Sequence, residues 1–304
     1  MTTGAALLGY ASAIGFLAPP LMLRSDWPRR SPALAVAAWH ALSVSFTAAL
    51  ALAAYHLATP AEHLHAGLTG LLHSCGLTAG PGSSPDPDTA DALAVALPVA
   101  VSLLLLGSFV FEVLRAQLDR SRHRHALDIV GRRSAALRAT VVDHERPAAY
   151  CLPGIRSRVV VSDGALRLLS AAQLAAVLEH ERAHIAGRHH LAMALSEAFA
   201  RAFRWLPLAR HAREQTSVLL EMIADDRALR SHPRDVLATA LYEMAASGAP
   251  RGAFSAGGPV ALLRLQRVLV PGRRPHPALS ATMAATTFVV PLLPLLIGCA
   301  PAIS

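Results

Sequence analysis

The sequence predicts a mainly α-helical membrane protein that crosses the bilayer four times and carries a folded α+β domain between the third and fourth crossings. Two observations support this prediction. Hydrophobic residues make up 53% of the 304 residues and charged residues only 16%, and the mean hydropathy is +0.41. Strand-forming runs, turn signals and most of the charged residues are concentrated between the third and fourth apolar stretches.

Four apolar stretches are long enough to span a bilayer, which requires about 20 mainly apolar residues. They are residues 4–23, 33–58, 92–114 and 278–299, and Glu112 is the only acidic residue or arginine within them. Their length argues against buried helices of a soluble protein. We expect a membrane region over residues 1–114, a folded domain over 115–277, and a fourth transmembrane helix with a short tail over 278–304.

The placement of arginines predicts the orientation, because short cytoplasmic loops collect positive charge. Arg24, Arg29 and Arg30 lie between the first two stretches, whereas residues 59–91 contain acidic residues and no arginine. Arginines are again frequent directly after the third stretch, over residues 115–138. We therefore expect the folded domain in the cytoplasm and both termini outside.

The basic residues also indicate a bacterial source, and they give no support for a nucleic-acid partner. All 28 are arginine and alanine is abundant, which suggests a high-GC bacterial genome, so we expect a bacterial plasma membrane protein with the lipid bilayer as a partner. The N-terminal residues lack the positive charge of a signal peptide, and the first stretch is expected to be retained. No nucleic-acid-binding module accompanies the net charge of +8, so no direct nucleic-acid binding is expected.

Three short runs after the third stretch have strand character: residues 139–142, 148–152 and 158–161. Turn signals at Pro153-Gly154 and Asp163-Gly164 separate and follow them. We predict a small antiparallel sheet. Its edge would pair with an extended substrate backbone, or the strands would only support the next helix; the sequence leaves both interpretations open.

Helices are predicted to follow the sheet. Ser170 and Gln173 form the S-x-x-Q pattern of a capping box, and Gly187 is a candidate stop. Apolar residues recur between them at helical spacing, as expected for an inward-facing stripe: Leu174, Val177, Leu178 and Ile185. Further helices are predicted over residues 191–205 and 208–229, and we expect the side chains around their junction to lie in the core: Phe199, Phe203, Trp205 and Leu206.

The helix that begins after Ser170 contains an HExxH motif, His180-Glu181-Arg182-Ala183-His184. Residues four apart share one helix face, so both imidazoles can reach one Zn²⁺. Glu181 can then accept a proton from a water that the metal activates. A chance match is the alternative, and about 0.02 such matches are expected in a chain of this composition.

A catalytic zinc normally has three protein ligands, and two residues compete for the third place. Glu221 lies in an apolar run and shares a helix face with Asp225, which could orient a ligating imidazole. His190 is the alternative, because residues 180–190 read HExxHxxGxxH. We favour Glu221, since that longer motif is typical of proteins that face outward and the predicted topology places this segment in the cytoplasm.

The motifs together resemble the BlaR/MecR-type membrane zinc peptidases, most closely actinobacterial members with little beyond the peptidase core. The resemblance is carried by Tyr150-Cys151-Leu152-Pro153-Gly154, residues 159–164, the HExxH motif and Glu221-x-x-x-Asp225. It implies a gluzincin-like peptidase domain between the third and fourth spans, with His180, His184 and Glu221 as zinc ligands, Glu181 as the catalytic base and Asp225 in support. The antibiotic-sensing members carry a penicillin-binding sensor domain after the last span, whereas this sequence ends at Ser304, so we expect no ligand-sensing role.

The sequence therefore predicts a zinc-dependent endopeptidase acting on a protein or peptide substrate. The resemblance implies regulated proteolysis, through cleavage of a repressor or of itself. The alternatives are a membrane quality-control protease of the HtpX type, and a non-catalytic receptor or scaffold with a structural zinc. A transporter is disfavoured because the spans contain few ionisable residues. Candidates to stabilise the oxyanion that forms during hydrolysis are His189, His190, His211, Tyr242 and Arg264.

Overall fold

The computed structural model of the chain describes residues 2–58, 89–154, 156–248, 258–270 and 277–299. Within this part, four helical segments are long and apolar enough to cross a membrane: Thr3–Arg24, Pro32–Leu57, Pro98–Val130 and Ser280–Gly298. They correspond to the four stretches predicted from hydropathy, which we call the first to fourth apolar helices. Most of the third and fourth is not buried by protein, as expected for helices that face lipid.

The apolar helices are built from several elements. The first consists of α1 (Thr2–Ser12), a π-helical turn (Ala13–Leu17) and α2 (Ala18–Arg24). The short helix α3 (Trp27–Arg30) follows it. The second apolar helix is α4 (Pro32–Ala58), and the third lies within α5 (Thr89–Val130). The fourth consists of α12 (Pro277–Val289), a 3₁₀ turn (Val290–Leu292) and α13 (Leu293–Cys299). Helix α5 continues well beyond Leu114, the end of the predicted span, because the arginine-rich residues that follow still favour helix.

A four-stranded sheet follows α5. Its strands are β1 (Gly131–Ser134), β2 (Ala139–Val142), β3 (Ala149–Leu152) and β4 (Arg158–Ser162), in the spatial order β1-β2-β4-β3. The last three were predicted nearly to the residue. Strand β1 was not predicted, because its two arginines are exposed and it has no apolar alternation.

The prediction of an antiparallel sheet is wrong for one strand pair. β1 pairs with β2 and β3 with β4 in antiparallel fashion, but β2 pairs with β4 in parallel, with Val141 opposite Val161. The reason is that β3 lies outside β4 and not between β2 and β4. Strand β3 is consequently an edge of the sheet, and this edge faces the helix with the HExxH motif.

The remaining helices are α6 (Asp163–Leu168), α7 (Ala171–Ala186), α8 (His189–Ala202), α9 (Pro207–Ala228), α10 (Arg234–Gly248) and α11 (Gly258–Leu269). Helix α7 begins with the predicted capping box, in which Ser170 and Gln173 each accept a hydrogen bond from the other's backbone N–H. It ends at Ala186, before Gly187, and the left-handed residue that turns the chain is Arg188, with φ 49°.

Helices α8 and α9 form a hairpin that packs against the apolar helices. At its turn, the rings of Phe203 and Phe46 lie 5.2 Å apart, and a Cβ on Gly15 would lie only 2.8 Å from Leu206 Cδ1. Gly15 and Phe46 lie near the middle of the first and second apolar helices. The hairpin and the first two apolar helices therefore share one hydrophobic core.

The side chains at this turn were expected in the core, and the expectation fails for Trp205. Phe199, Phe203 and Leu206 are buried, whereas Trp205 is 71% exposed. Its ring lies 6.4 Å from that of Phe16, which is also exposed on the first apolar helix. Trp205 therefore lies on the outer surface of the bundle, beside the exposed Phe16.

If the first apolar helix spans a bilayer, Trp205 contacts lipid. In liposomes that contain lipids brominated on their acyl chains, we expect part of the tryptophan fluorescence to be quenched, because bromine quenches on contact. Most of the quenched part should disappear in Trp205→Phe, since Trp39 is only 1% exposed and Trp27 lies beyond the end of the first apolar helix. Equal quenching of the wild type and Trp205→Phe would contradict this placement.

Candidate metal centre

Helices α7 and α9 bring three predicted ligands together. His180 Nε2 and His184 Nε2 lie 3.2 Å apart, and each lies 3.4 Å from a carboxylate oxygen of Glu221. One ligand atom from each residue lies within 4.8 Å of the other two, which is the spacing of atoms that can bind one metal ion. Because Glu221 is far from the motif in the sequence, its closeness to the two histidines could not be derived from spacing alone.

The two helices are held by different parts of the protein. Helix α7 buries Val177 and Leu178 against the sheet, where Val161 is fully buried. Helix α9 buries Leu219 and Met222 in the core shared with the apolar helices. The relative positions of the histidines and Glu221 therefore depend on how the sheet and the membrane-associated helices pack.

Asp225 lies one turn after Glu221 and contacts the other side of His180. Its Oδ1 lies 3.0 Å from His180 Nδ1, and the carboxylate is 1% exposed. The contact leaves Nε2 of His180 directed at Glu221 and His184. The structure thus places Asp225 beside a candidate ligand, as predicted.

Arg264 on α11 connects the two carboxylates of α9. Its Nε and Nη2 donate to the two oxygens of Asp225 at 2.9 and 2.7 Å, and its Nη1 lies 2.8 Å from Glu221 Oε2. Planar, bidentate geometry of this kind gives strong, directional ion pairs. From the sequence, Arg264 is only one of several oxyanion candidates, because no local pattern indicates an ion pair with an acid 39 residues away.

His189 supports the second histidine of the motif. Its Nδ1 lies 2.9 Å from His184 Nδ1, and the residue is buried. A side chain on Gly187 would collide with the His189 ring, so this glycine is required for space and not for its backbone conformation. Helix α8 begins at His189, two residues before its predicted start at Leu191, and the contact of His189 with His184 was not predicted.

The other histidine of the tandem is not part of the cluster. His190 does not belong to the group of candidate metal ligands among the described residues. Its Nδ1 is buried and has no hydrogen-bond partner in that part of the chain. The geometry therefore favours Glu221 over His190 as the third residue of the group.

Glu181 faces a cavity of about 460 Å³ that also contains the three candidate ligands. Cys151 of strand β3 lines the same cavity. The cavity is lined by strand β3 and four helices: Ala149, Tyr150, Cys151, Val177, His180, Glu181, His184, Glu221, Leu237, Leu241, Met244 and Arg264. Of the five oxyanion candidates, this wall includes only Arg264.

Burial and charge shift the pKa values of the cluster. Burial raises the pKa of Glu181 to about 7 and lowers that of His184. Burial also opposes charge on His180, but its contacts with Asp225 and Glu221 outweigh this and raise its pKa to about 9. The pKa of Asp225 is lowered to about 2, because hydrogen bonds from Arg264 and His180 outweigh its burial. The pKa of Glu221 is also lowered, because its contacts with His180 and Arg264 outweigh its burial, so both carboxylates beside His180 are ionised at neutral pH.

Residues 114–225 match the model of peptidase family M48. The matched segment begins at the end of the third predicted span and ends at Asp225, so it includes the HExxH motif and Glu221. It covers somewhat more than a third of the chain, and comparison with curated proteins and with solved structures gives no match. The segment is therefore similar to zinc metallopeptidases, and the match does not extend to the BlaR/MecR type.

Removal of Arg264 should destabilise the metal-free protein. Its side chain is only 14% exposed, and its loss leaves two carboxylates without their shared cation. We expect Arg264→Met to lower the free energy of unfolding by about 3 kcal/mol, measured as a lower midpoint of thermal unfolding. Arg227→Met is the matched control, because the ion pair of Arg227 with Glu179 is half-exposed and worth about 0–1 kcal/mol. Equal midpoints for both variants would show that the Arg264 contacts contribute little.

Proposed function

We propose that the protein is an integral membrane zinc endopeptidase that hydrolyses peptide bonds with a metal-activated water. The observation that carries this proposal is the convergence of His180 Nε2, His184 Nε2 and a Glu221 oxygen within 4.8 Å, beside Glu181 in one cavity. The similarity of residues 114–225 to peptidase family M48 supports it independently. A site that keeps a general base next to three ligands is typical of a catalytic zinc and not of a structural one.

The donor set fits Zn²⁺. Two imidazole nitrogens and one carboxylate oxygen are ligands that catalytic zinc sites use, and three protein ligands leave a position for water or substrate. When bound, zinc supplies a Lewis acid that polarises the peptide carbonyl and makes water more acidic. In this arrangement Asp225 would orient the imidazole of His180, and His189 would orient that of His184.

Glu181 would accept the proton of the attacking water and return it to the leaving amine. Its carboxylate is directed into the cavity from the same helix as the two histidines, so its position relative to them is rigid. Arg264 is the cationic side chain of the cavity wall and would stabilise negative charge on the carbonyl oxygen. Its ion pairs with Asp225 and Glu221 hold the guanidinium in place.

Strand β3 would bind the substrate backbone. It is an edge strand, and Ala149, Tyr150 and Cys151 line the cavity beside Glu181. An extended peptide could add to this edge through main-chain hydrogen bonds, which are independent of the peptide's sequence. The apolar wall formed by Leu237, Leu241 and Met244 would then contact the peptide's side chains.

From the distribution of the arginines we infer that the peptidase lies on the cytoplasmic side of a bacterial plasma membrane, with both termini outside. Arg29 and Arg30, which follow the first apolar helix, line one cavity together with the end of α9 and with α11. This arrangement supports a peptidase close to the membrane surface. Its biological role would be regulated proteolysis, and a quality-control protease of the HtpX type is the alternative within the same chemistry.

Replacement of Glu181 should slow cleavage strongly without removing the metal. A general acid–base residue contributes about 10²–10⁴-fold to the rate, so we expect Glu181→Gln to lower the cleavage rate of a generic protein substrate by about that factor. Zinc content, measured by mass spectrometry of the purified protein, should be unchanged. Glu179→Gln is the control, since Glu179 lies two residues earlier and does not line the cavity. Unchanged cleavage by Glu181→Gln would exclude this residue from the mechanism.

Loss of the third ligand should be seen in zinc retention. We expect Glu221→Ala to lose zinc during dialysis against a weak chelator, because only two protein ligands remain. His190→Ala should retain it, since His190 lies outside the candidate group. If His190→Ala alone loses zinc, the assignment of Glu221 is wrong.

A further inference from the structure

A second cavity, of about 680 Å³, lies away from the candidate metal centre. It is formed by the connection between the first two apolar helices, the end of α9, the start of α10 and one face of α11. Five arginines from these separate segments line it: Arg29, Arg30, Arg230, Arg234 and Arg267. We call this cavity the arginine pocket.

Two acidic residues, Asp26 and Asp226, also line the arginine pocket, so its positive charge is only partly compensated. Arg267 forms a bidentate ion pair with Asp226 at 2.7 and 2.8 Å, and Arg234 donates to the backbone oxygen of Val268 at 3.0 Å. In the part of the chain that the structure describes, Arg29, Arg30 and Arg230 have no ion-pair partner. Like charges held together in this way repel each other, and a bound anion would remove the repulsion.

The pocket lies where the apolar surface of the first two helices ends. Leu21 and Leu23 are exposed on the first apolar helix, and the charged connection begins directly after them at Arg24. The pocket also has apolar lining, including Leu229 and the exposed Val270. A lipid offers both a phosphate for the arginines and an apolar segment for these side chains, whereas free phosphate offers only the first.

We propose that the arginine pocket binds the phosphate group of an anionic phospholipid from the adjacent leaflet. Guanidinium groups suit this ligand, because they bind phosphate oxygens through paired hydrogen bonds. Residues of the membrane connection and of the peptidase both contribute arginines. The lipid would therefore join the peptidase to the end of the first two apolar helices.

The lipid would also affect the candidate metal centre, through α11. Arg264 and Arg267 lie one turn apart on this helix: Arg264 contacts Asp225 and Glu221, while Arg267 contacts Asp226 and donates to the backbone oxygen of Arg29 at 2.8 Å. A ligand that orders the pocket would therefore restrict the helix that holds Arg264. This consequence depends on the proposed function, whereas lipid binding itself does not.

The test measures lipid binding to the full chain in a neutral detergent by native mass spectrometry. The probes are dioctanoyl phosphatidylglycerol, dioctanoyl phosphatidylcholine and inorganic phosphate. We expect the anionic lipid to bind at least about tenfold more tightly than the zwitterionic one, and Arg230→Gln to weaken its binding about fivefold. Arg230→Lys should restore most of the binding, since it keeps the charge.

The control is Arg115→Gln, because Arg115 is exposed on α5, has no ion pair within the described residues and lies outside the pocket. Its lipid affinity should equal that of the wild type. Equal weakening by Arg230→Gln and Arg115→Gln, or no preference for the anionic lipid, would overturn the proposal. If inorganic phosphate binds the wild type and displaces the lipid, the pocket is an anion site and the proposal that it binds a lipid is wrong. Zinc content and cleavage are measured separately, so failure of the peptidase assignment would not be confused with failure of lipid binding.

Discussion

The ion-pair cluster of Arg264, Asp225 and Glu221 with His180 is the interaction on which the arrangement of the site depends. Asp225 is buried and Glu221, one helical turn earlier, is half-buried, which would be costly without compensating positive charge. Arg264 supplies part of that charge from α11, and His180 contacts both acids from α7. Three helices that are distant in the sequence are thereby held around one point.

This cluster also connects the site to the membrane-associated part of the protein. Helix α9 carries both acids and buries its apolar face against the second apolar helix, while α7 packs on the sheet. A displacement of the apolar helices relative to the sheet would therefore change the distance between Glu221 and the two histidines. Such a dependence would allow the membrane environment to influence metal binding without any contact to the metal.

The elements with local signals were predictable. The capping box at Ser170, the strand over residues 139–142 and the four apolar helices each follow from a pattern within one stretch of sequence. The candidate ligands could be predicted because the HExxH motif identifies the two histidines, and Glu221 stands out as an acidic residue in an apolar run. These features depend on short-range periodicity, which sequence reports directly.

The features that could not be predicted join residues that are far apart in the chain. Neither the parallel pairing of β2 with β4 nor the ion pair between Arg264 and Asp225 has a local signature. The contact of Phe203 with Phe46 likewise requires knowledge of how two apolar surfaces meet. Apolar residues at helical spacing indicate that a face is buried, but not which partner buries it.

X-ray absorption at the zinc edge of the purified full chain is the sharpest test of the proposed metal site. We expect one zinc per chain, surrounded by nitrogen and oxygen at about 2.0–2.2 Å with the signature of two imidazoles. Absence of zinc from well-folded protein that also fails to take it up would contradict the proposed site. A sulfur neighbour at about 2.3 Å would also contradict it, because it would make Cys151, and not Glu221, the third ligand.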